Sequence, residues 1–319
     1  MKTQRISSIK RGFTLMELMV AMAITTIIVS VLVSITSIAL DTWNRSRAEL
    51  RSSRQAKSMI DTMARDFESL VTRRGNTNEW LSAVASPNQS IGDQSKITSS
   101  NAAELYFFTA ATDRYDGKIG TATDLGGDVS CVGYRLEYRD PIDNTGSSQF
   151  KTFVLNRLLV NPDETFTKLL GKTDSTDTSK GLDDVFTTQF AANLTNSSNF
   201  VCENIYQFSV TFHVQVTDTT QSPPVVTDVP IVIGNGSGSQ SSKTFMIQGT
   251  GIKTEITGST FSPAQIAAGR VTAMELSVTV LSDYGIDQLR TRTFGSGQQA
   301  EFLAKNSYEY TKLVQIPSM

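Results

Sequence analysis

Lys10-Arg11-Gly12-Phe13-Thr14-Leu15-Met16-Glu17 opens onto an apolar run, residues 18–40, of 23 residues without a formal charge. At a rise of ~1.5 Å per residue this run makes ~35 Å of helix, enough to cross a ~30 Å hydrocarbon layer. Lys2, Arg5, Lys10 and Arg11 precede it, and a long polar remainder follows. That asymmetry places the N-terminus in the cytoplasm and the bulk of the chain on the other side.

A plain transmembrane anchor accounts for the length and the basic flank. A secretory signal peptide cut after Ala39, at Ser37-Ile38-Ala39, is the other ordinary reading, although its apolar core would far exceed the usual ~7–15 residues. Neither explains Glu17. A lone carboxylate near the start of a spanning helix costs about 2.5–3.5 kcal/mol on insertion scales, and such a group is usually there for a partner.

The octapeptide resembles the prepilin processing site of type IV pilin-like proteins. The resemblance implies that a dedicated prepilin peptidase cuts between Gly12 and Phe13 and N-methylates Phe13. It also implies that Glu17 is the assembly residue of the mature helix. In a bundle of such helices the ammonium of one subunit's Phe13 lies in apolar surroundings, and a neighbour's Glu17 offers the counter-charge that each ion needs. Methylation keeps the amine's charge and adds apolar surface.

The helix is expected to continue well past the membrane. No glycine or proline occurs from Phe13 to Arg74, and Gly75-Asn76 offers a C-cap. Fully helical, the stretch is ~90 Å long. In its second half Trp43, Leu50, Ala56, Ile60, Met63, Phe67 and Leu70 recur at helical spacings, with Arg45, Arg47, Arg51, Arg54, Asp61, Arg65 and Glu68 on other faces. From 60 to 70 this pattern fits a helix packed on its own head; from 25 to 50 it fits a face for neighbouring helices.

Beyond Gly75 the pattern turns to β. Val132, Tyr134, Leu136 and Tyr138 alternate with Gly133, Arg135, Glu137 and Arg139, as on a half-buried strand. The alternation is stronger from Tyr206 to Val216 and recurs from Met274 to Val280. Weaker strands are expected at residues 104–109, 152–160, 229–233, 243–248 and 308–316, with loops at 172–181, 195–199, 218–224 and 234–242. The expected fold class is α+β, a pilin-like transmembrane stalk helix packed on an antiparallel-sheet head. The expected segments are a cleaved leader (1–12), a stalk helix (13–74, transmembrane over 13–40) and a periplasmic β-rich head (75–319).

Segment order narrows the resemblance. Residues 59–67, 132–138, 153–157, 204–212 and 271–281 follow one another as in the J-type minor pseudopilins of type II secretion and the W-type minor pilins of type IV pili. The pseudopilin-like subfamily called Verru_Chthon cassette protein C is also similar. Glu17 sets the chain apart from the K-type tip subunit, which lacks that acid. The resemblance implies a minor subunit that primes or caps a filament, with other pilin-like subunits, the prepilin peptidase and the bacterial inner membrane as partners. A pilus-associated adhesin or DNA-uptake subunit is the alternative.

Nothing points to catalysis or to a cofactor. Two cysteines and one histidine are too few for a Cys/His zinc cluster, and only His213 remains for a histidine-based triad. Net charge is −2, so no strong field invites nucleic acid. Asp113, Asp116, Asp124 and Asp128 read as a solvated acidic loop more readily than as a calcium site, and no metal ligand is assigned. The basic stretch 45–57 reads as a solvated helix face. Cys131 and Cys202 are either a disulfide, in the oxidising compartment where the head belongs, or two buried thiols.

Overall fold

The computed structural model describes residues 14–86, 89–91, 97–99, 101–110, 127–141, 151–172, 181–218, 222–234, 240–292, 294–295 and 297–316. Helix α1 (Leu15–Glu68) leads into β1 (Glu79–Ala85), β2 (Gln89–Ile91), β3 (Ile97–Ser99), β4 (Ala103–Thr109), β5 (Ser130–Arg139) and β6 (Thr152–Val160). The single turn α2 (Pro162–Glu164) and helix α3 (Leu182–Leu194) precede β7 (Phe200–Glu203), β8 (Ile205–Asp218), β9 (Val225–Ile233), β10 (Ser241–Gln248) and β11 (Gly251–Thr257). The chain closes with α4 (Pro263–Ala267), β12 (Arg270–Leu281), α5 (Asp283–Thr291), α6 (Gln298–Asn306) and β13 (Ser307–Gln315). By internal contacts it divides between Leu50 and Arg51 into two compact units.

The fold is α+β, a long apolar helix followed by a large, mainly antiparallel sheet. Eleven strands join in the order β13-β12-β8-β9-β10-β1-β4-β5-β6-β7, with β11 hydrogen-bonded to β10. Every pairing is antiparallel except the short β9–β10 contact. β2 and β3 form a separate pair.

One face of the sheet packs on the second half of α1. Ala56, Met59, Ile60, Met63 and Phe67 recur at spacings of three and four, are buried, and meet Phe107, Tyr134, Leu155, Phe208 and Phe212 in one apolar cluster. Burying each large side chain contributes about 1.5–3 kcal/mol. The Phe67 and Phe107 rings stack with centroids 4.0 Å apart. β8 shows the expected alternation, inward Phe208, Val210 and Phe212 against half-buried Ser209, Thr211 and His213.

The other face is covered at its β1–β4–β5–β6 end by α3, a helix the sequence reading did not anticipate. Leu182, Phe186, Phe190 and Leu194, spaced by four, form a second cluster with Trp80, Tyr106, Phe108 and Cys131. This third layer explains why every residue of β6 is buried. It also explains Gly133, since a β-carbon there would lie 2.6 Å from the Phe186 ring.

Helix α1 ends at Glu68, short of the expected Arg74. The next residues join the sheet instead: Leu70 bridges to Thr109 and the Val71 amide donates to the Phe108 carbonyl at 2.9 Å. Gly75, at φ +82, is therefore a turn residue tied to the Gly249 carbonyl, not the expected helix cap. Strands expected at 104–109, 152–160, 229–233, 243–248 and 308–316 are all present within a few residues, whereas β1, β2, β3, β7 and β11 went unread.

Candidate functional site

Gly12 and Phe13 lie outside the described residues, which begin at Thr14. Immediately after them the chain builds a reciprocal helix cap. The Thr14 amide and hydroxyl both donate to Glu17 Oε2, at 2.9 and 3.0 Å, and the Glu17 amide donates to Thr14 Oγ1 at 3.2 Å. This is a capping box, which satisfies backbone donors that the first helical turn otherwise leaves open. Sequence reasoning gave Glu17 only an intermolecular partner. The Thr14-x-x-Glu17 spacing carries the capping signal and went unread.

Behind the cap, Leu15–Glu68 contains a stretch long and apolar enough to cross a membrane, and that stretch is exposed on every face. A helix apolar all round needs an apolar surrounding, either lipid or other helices. Four threonines in the first half of the helix are internally satisfied. Thr25, Thr26, Thr36 and Thr42 each donate to the carbonyl four residues back, to Ala21, Met22, Leu32 and Ile38, all at 2.8 Å. No hydroxyl among these four has to seek water inside hydrocarbon, where an unsatisfied group costs several kcal/mol.

The second half of α1 is held to the sheet by charge as well as by apolar packing. Arg157 of β6 forks onto Asp66, Nε to Oδ2 and Nη2 to Oδ1, both at 2.8 Å. The Tyr134 hydroxyl donates to the same Asp66 Oδ2. All three side chains are buried. Burial, then the Asp66 carboxylate, pushes the Tyr134 hydroxyl well above its usual range, so it stays a donor. Outside the core, Arg51 reaches Glu203 at 3.0 Å and Asp283 at 3.2 Å, and Lys312 of β13 reaches Asp61 at 2.6 Å. Such a bidentate, hydrogen-bonded triad fixes which turn of the helix faces the sheet.

The remaining sequence candidates are scattered. His213 sits on the polar face of β8, its Nδ1 2.8 Å from Asp228. The disulfide weighed for Cys131 and Cys202 is not formed. Both are free, buried thiols, Cys131 in the cluster under α3 and Cys202 in the cluster under α1, so the sheet separates them. Burial, then Glu203, pushes the Cys202 thiol up to about 12, and burial raises Cys131 further, which makes both unreactive in the folded head. Of the acidic loop only Asp128 falls among the described residues, Asp113, Asp116 and Asp124 lying outside them. Within the basic stretch 45–57, Arg51 is committed to its two carboxylates.

A profile of the prokaryotic N-terminal methylation motif matches residues 7–33. No curated protein and no solved structure matches the chain. The motif supports a type IV pilin-like protein, a class of structural rather than catalytic subunits. It implies processing by the prepilin peptidase and assembly with other pilin subunits, and the apolar helix fits membrane anchoring.

Proposed function

We propose that this chain is a minor subunit of a type IV pilus or type II secretion pseudopilus, which primes or caps the filament from the inner membrane. The observation that carries the reading is the continuity of three features. The methylation motif runs into a capped helix, the helix is apolar and exposed on all sides, and the same helix ends as the spine of an eleven-stranded head. An exported domain needs only an anchor; it does not need an anchor without a helix break between lipid and core.

In this reading residues 1–12 are the leader, residues 13–40 lie in the membrane before assembly, and residues 75–319 form the periplasmic head on a single-pass anchor. Cleavage after Gly12 frees the Phe13 amine beside Thr14 and Glu17. The carboxylate then has two tasks, closing its own capping box and, in the filament, neutralising a neighbour's N-methylated ammonium. The J-type and W-type subunits remain the best guides to its position among partners, because segment order and the acid both agree with them.

Intact-mass measurement of the chain purified from its native membrane tests the processing step. The expected species starts at N-methylated Phe13. A mass that begins at Met1, or near Leu40, contradicts the reading and returns the chain to a plain anchor or a secreted protein.

A further inference from the structure

Arg51, Arg135, Arg139 and Arg157 each meet a carboxylate. Arg73, Arg74 and Arg270 are different. They are exposed, no carboxylate among the described residues pairs with them, and all three line one cleft of about 150 Å³. At ~30 Å³ per water that is room for roughly five waters, or one tetrahedral oxyanion with part of its shell.

The walls are backbone, brought close by glycine. A β-carbon on Gly249 would fall 2.2 Å from the Asn76 carbonyl oxygen, and one on Gly251, at φ +134, 2.4 Å from the Ala267 carbonyl oxygen. The segment after α1, the β10–β11 turn and the α4–β12 connection are thus pressed together. The Gly75 amide donates to the Gly249 carbonyl and the Gly249 amide to Asn78, both at 3.0 Å, which pins the first two walls.

We propose that this cleft binds a phosphate-type oxyanion. Three arginines line this cleft with no carboxylate among the described residues paired to them, and an anion would offset the positive charge they bring to it. The planar forks of arginine match the oxygens of phosphate two at a time. The size favours one terminal group over a continuous track, which is why a polynucleotide backbone is the poorer fit. Inorganic phosphate and a phosphorylated headgroup share the chemistry that the cleft reads.

The test is calorimetric titration of the full chain in detergent with inorganic phosphate, ionic strength being held constant with chloride. Saturable binding is expected, weakened roughly tenfold or more by Arg270→Gln and lost in the triple variant Arg73→Gln/Arg74→Gln/Arg270→Gln. Arg54→Gln, which removes an exposed arginine of α1, should leave binding unchanged. Glycerol 3-phosphate that competes with phosphate supports a site for the oxyanion itself, and binding of glycerol 3-phosphate alone assigns the same cleft to headgroups. Heats no different from chloride overturn the proposal, as does binding that survives in a triple variant melting like the wild type. An oligonucleotide without terminal phosphates that binds through these arginines, when neither small phosphate does, also overturns it.

Discussion

The two halves of helix α1 share one backbone and obey different solvents. From Leu15 to Leu50 the helix is apolar all round near its start, and its threonines bond their own carbonyls. From Arg51 to Glu68 it is amphipathic, with Met59, Ile60, Met63 and Phe67 buried and Asp66 forked by Arg157. Among the described residues the apolar side chains of the first half are exposed, so burial for them would come from lipid or from other subunits. The second half is spent within the head. Stability of the head and assembly of the filament should therefore be separable by mutation.

The largest expected effect breaks the second half. Arg157→Ala leaves Asp66 charged and buried, and losing one member of such a pair typically costs ~3–5 kcal/mol. Denaturant unfolding of the head should show that loss, and the double variant Asp66→Leu/Arg157→Met should recover most of it. A Val33→Ala change in the first half should leave the same curve unmoved. Equal sensitivity of both halves would erase the distinction.

A smaller loss is expected at Gly133. Its backbone is ordinary, but a methyl group would press on the Phe186 ring at 2.6 Å. Gly133→Ala should cost about 1–3 kcal/mol by overpacking, measured as a lower unfolding midpoint, and pairing it with Phe186→Leu should return part of the loss.

The smallest effect is a slope with pH. Burial raises the Glu79 carboxyl to about 7, with Asp183 and Asp184 adding to it, against the Leu182 amide bond at 2.8 Å and Lys253. The folded head then holds a proton that the unfolded chain releases near 4.5. Stability from this group is present below about 4.5 and is lost as pH rises through about 7. Glu79→Gln should flatten that part of the stability–pH curve, and an unchanged slope would place the titration elsewhere.

How much of this was legible follows from periodicity. β5, β8 and β12 alternate because one face is buried and the other is not, and such strands announce themselves. The apolar run and the Gly12–Glu17 motif were equally plain. α3 is not announced because its four buried residues are separated by Asp183, Asp184, Thr187, Thr188 and Gln189, which dilute the apolar spacing between two expected loops. Without α3 neither the glycine in β5 nor the full burial of β6 has a reason. The choice between a disulfide and two buried thiols for Cys131 and Cys202 stayed open for a related cause, since sequence does not tell which face of the sheet a cysteine takes. Asp66 and Arg157 fall within the segments 59–67 and 153–157, but their pairing, 91 positions apart, is a product of topology. The cap at Thr14 was available from spacing alone and was overshadowed by the intermolecular role proposed for Glu17.

The double role proposed for Glu17 allows the most direct test. Glutamine at position 17 can still accept the Thr14 amide and close the capping box, yet it carries no charge. Glu17→Gln should therefore be inserted and cut after Gly12 like the wild type. Cysteine crosslinking between subunits in the native membrane should then show its incorporation with other pilin-like chains lost, because a neighbour's buried ammonium is left without a counter-charge, a loss of ~3–5 kcal/mol. A Glu17→Gln chain that crosslinks into assemblies as well as the wild type would show that the carboxylate serves its own helix alone, and the account of assembly given above would be wrong.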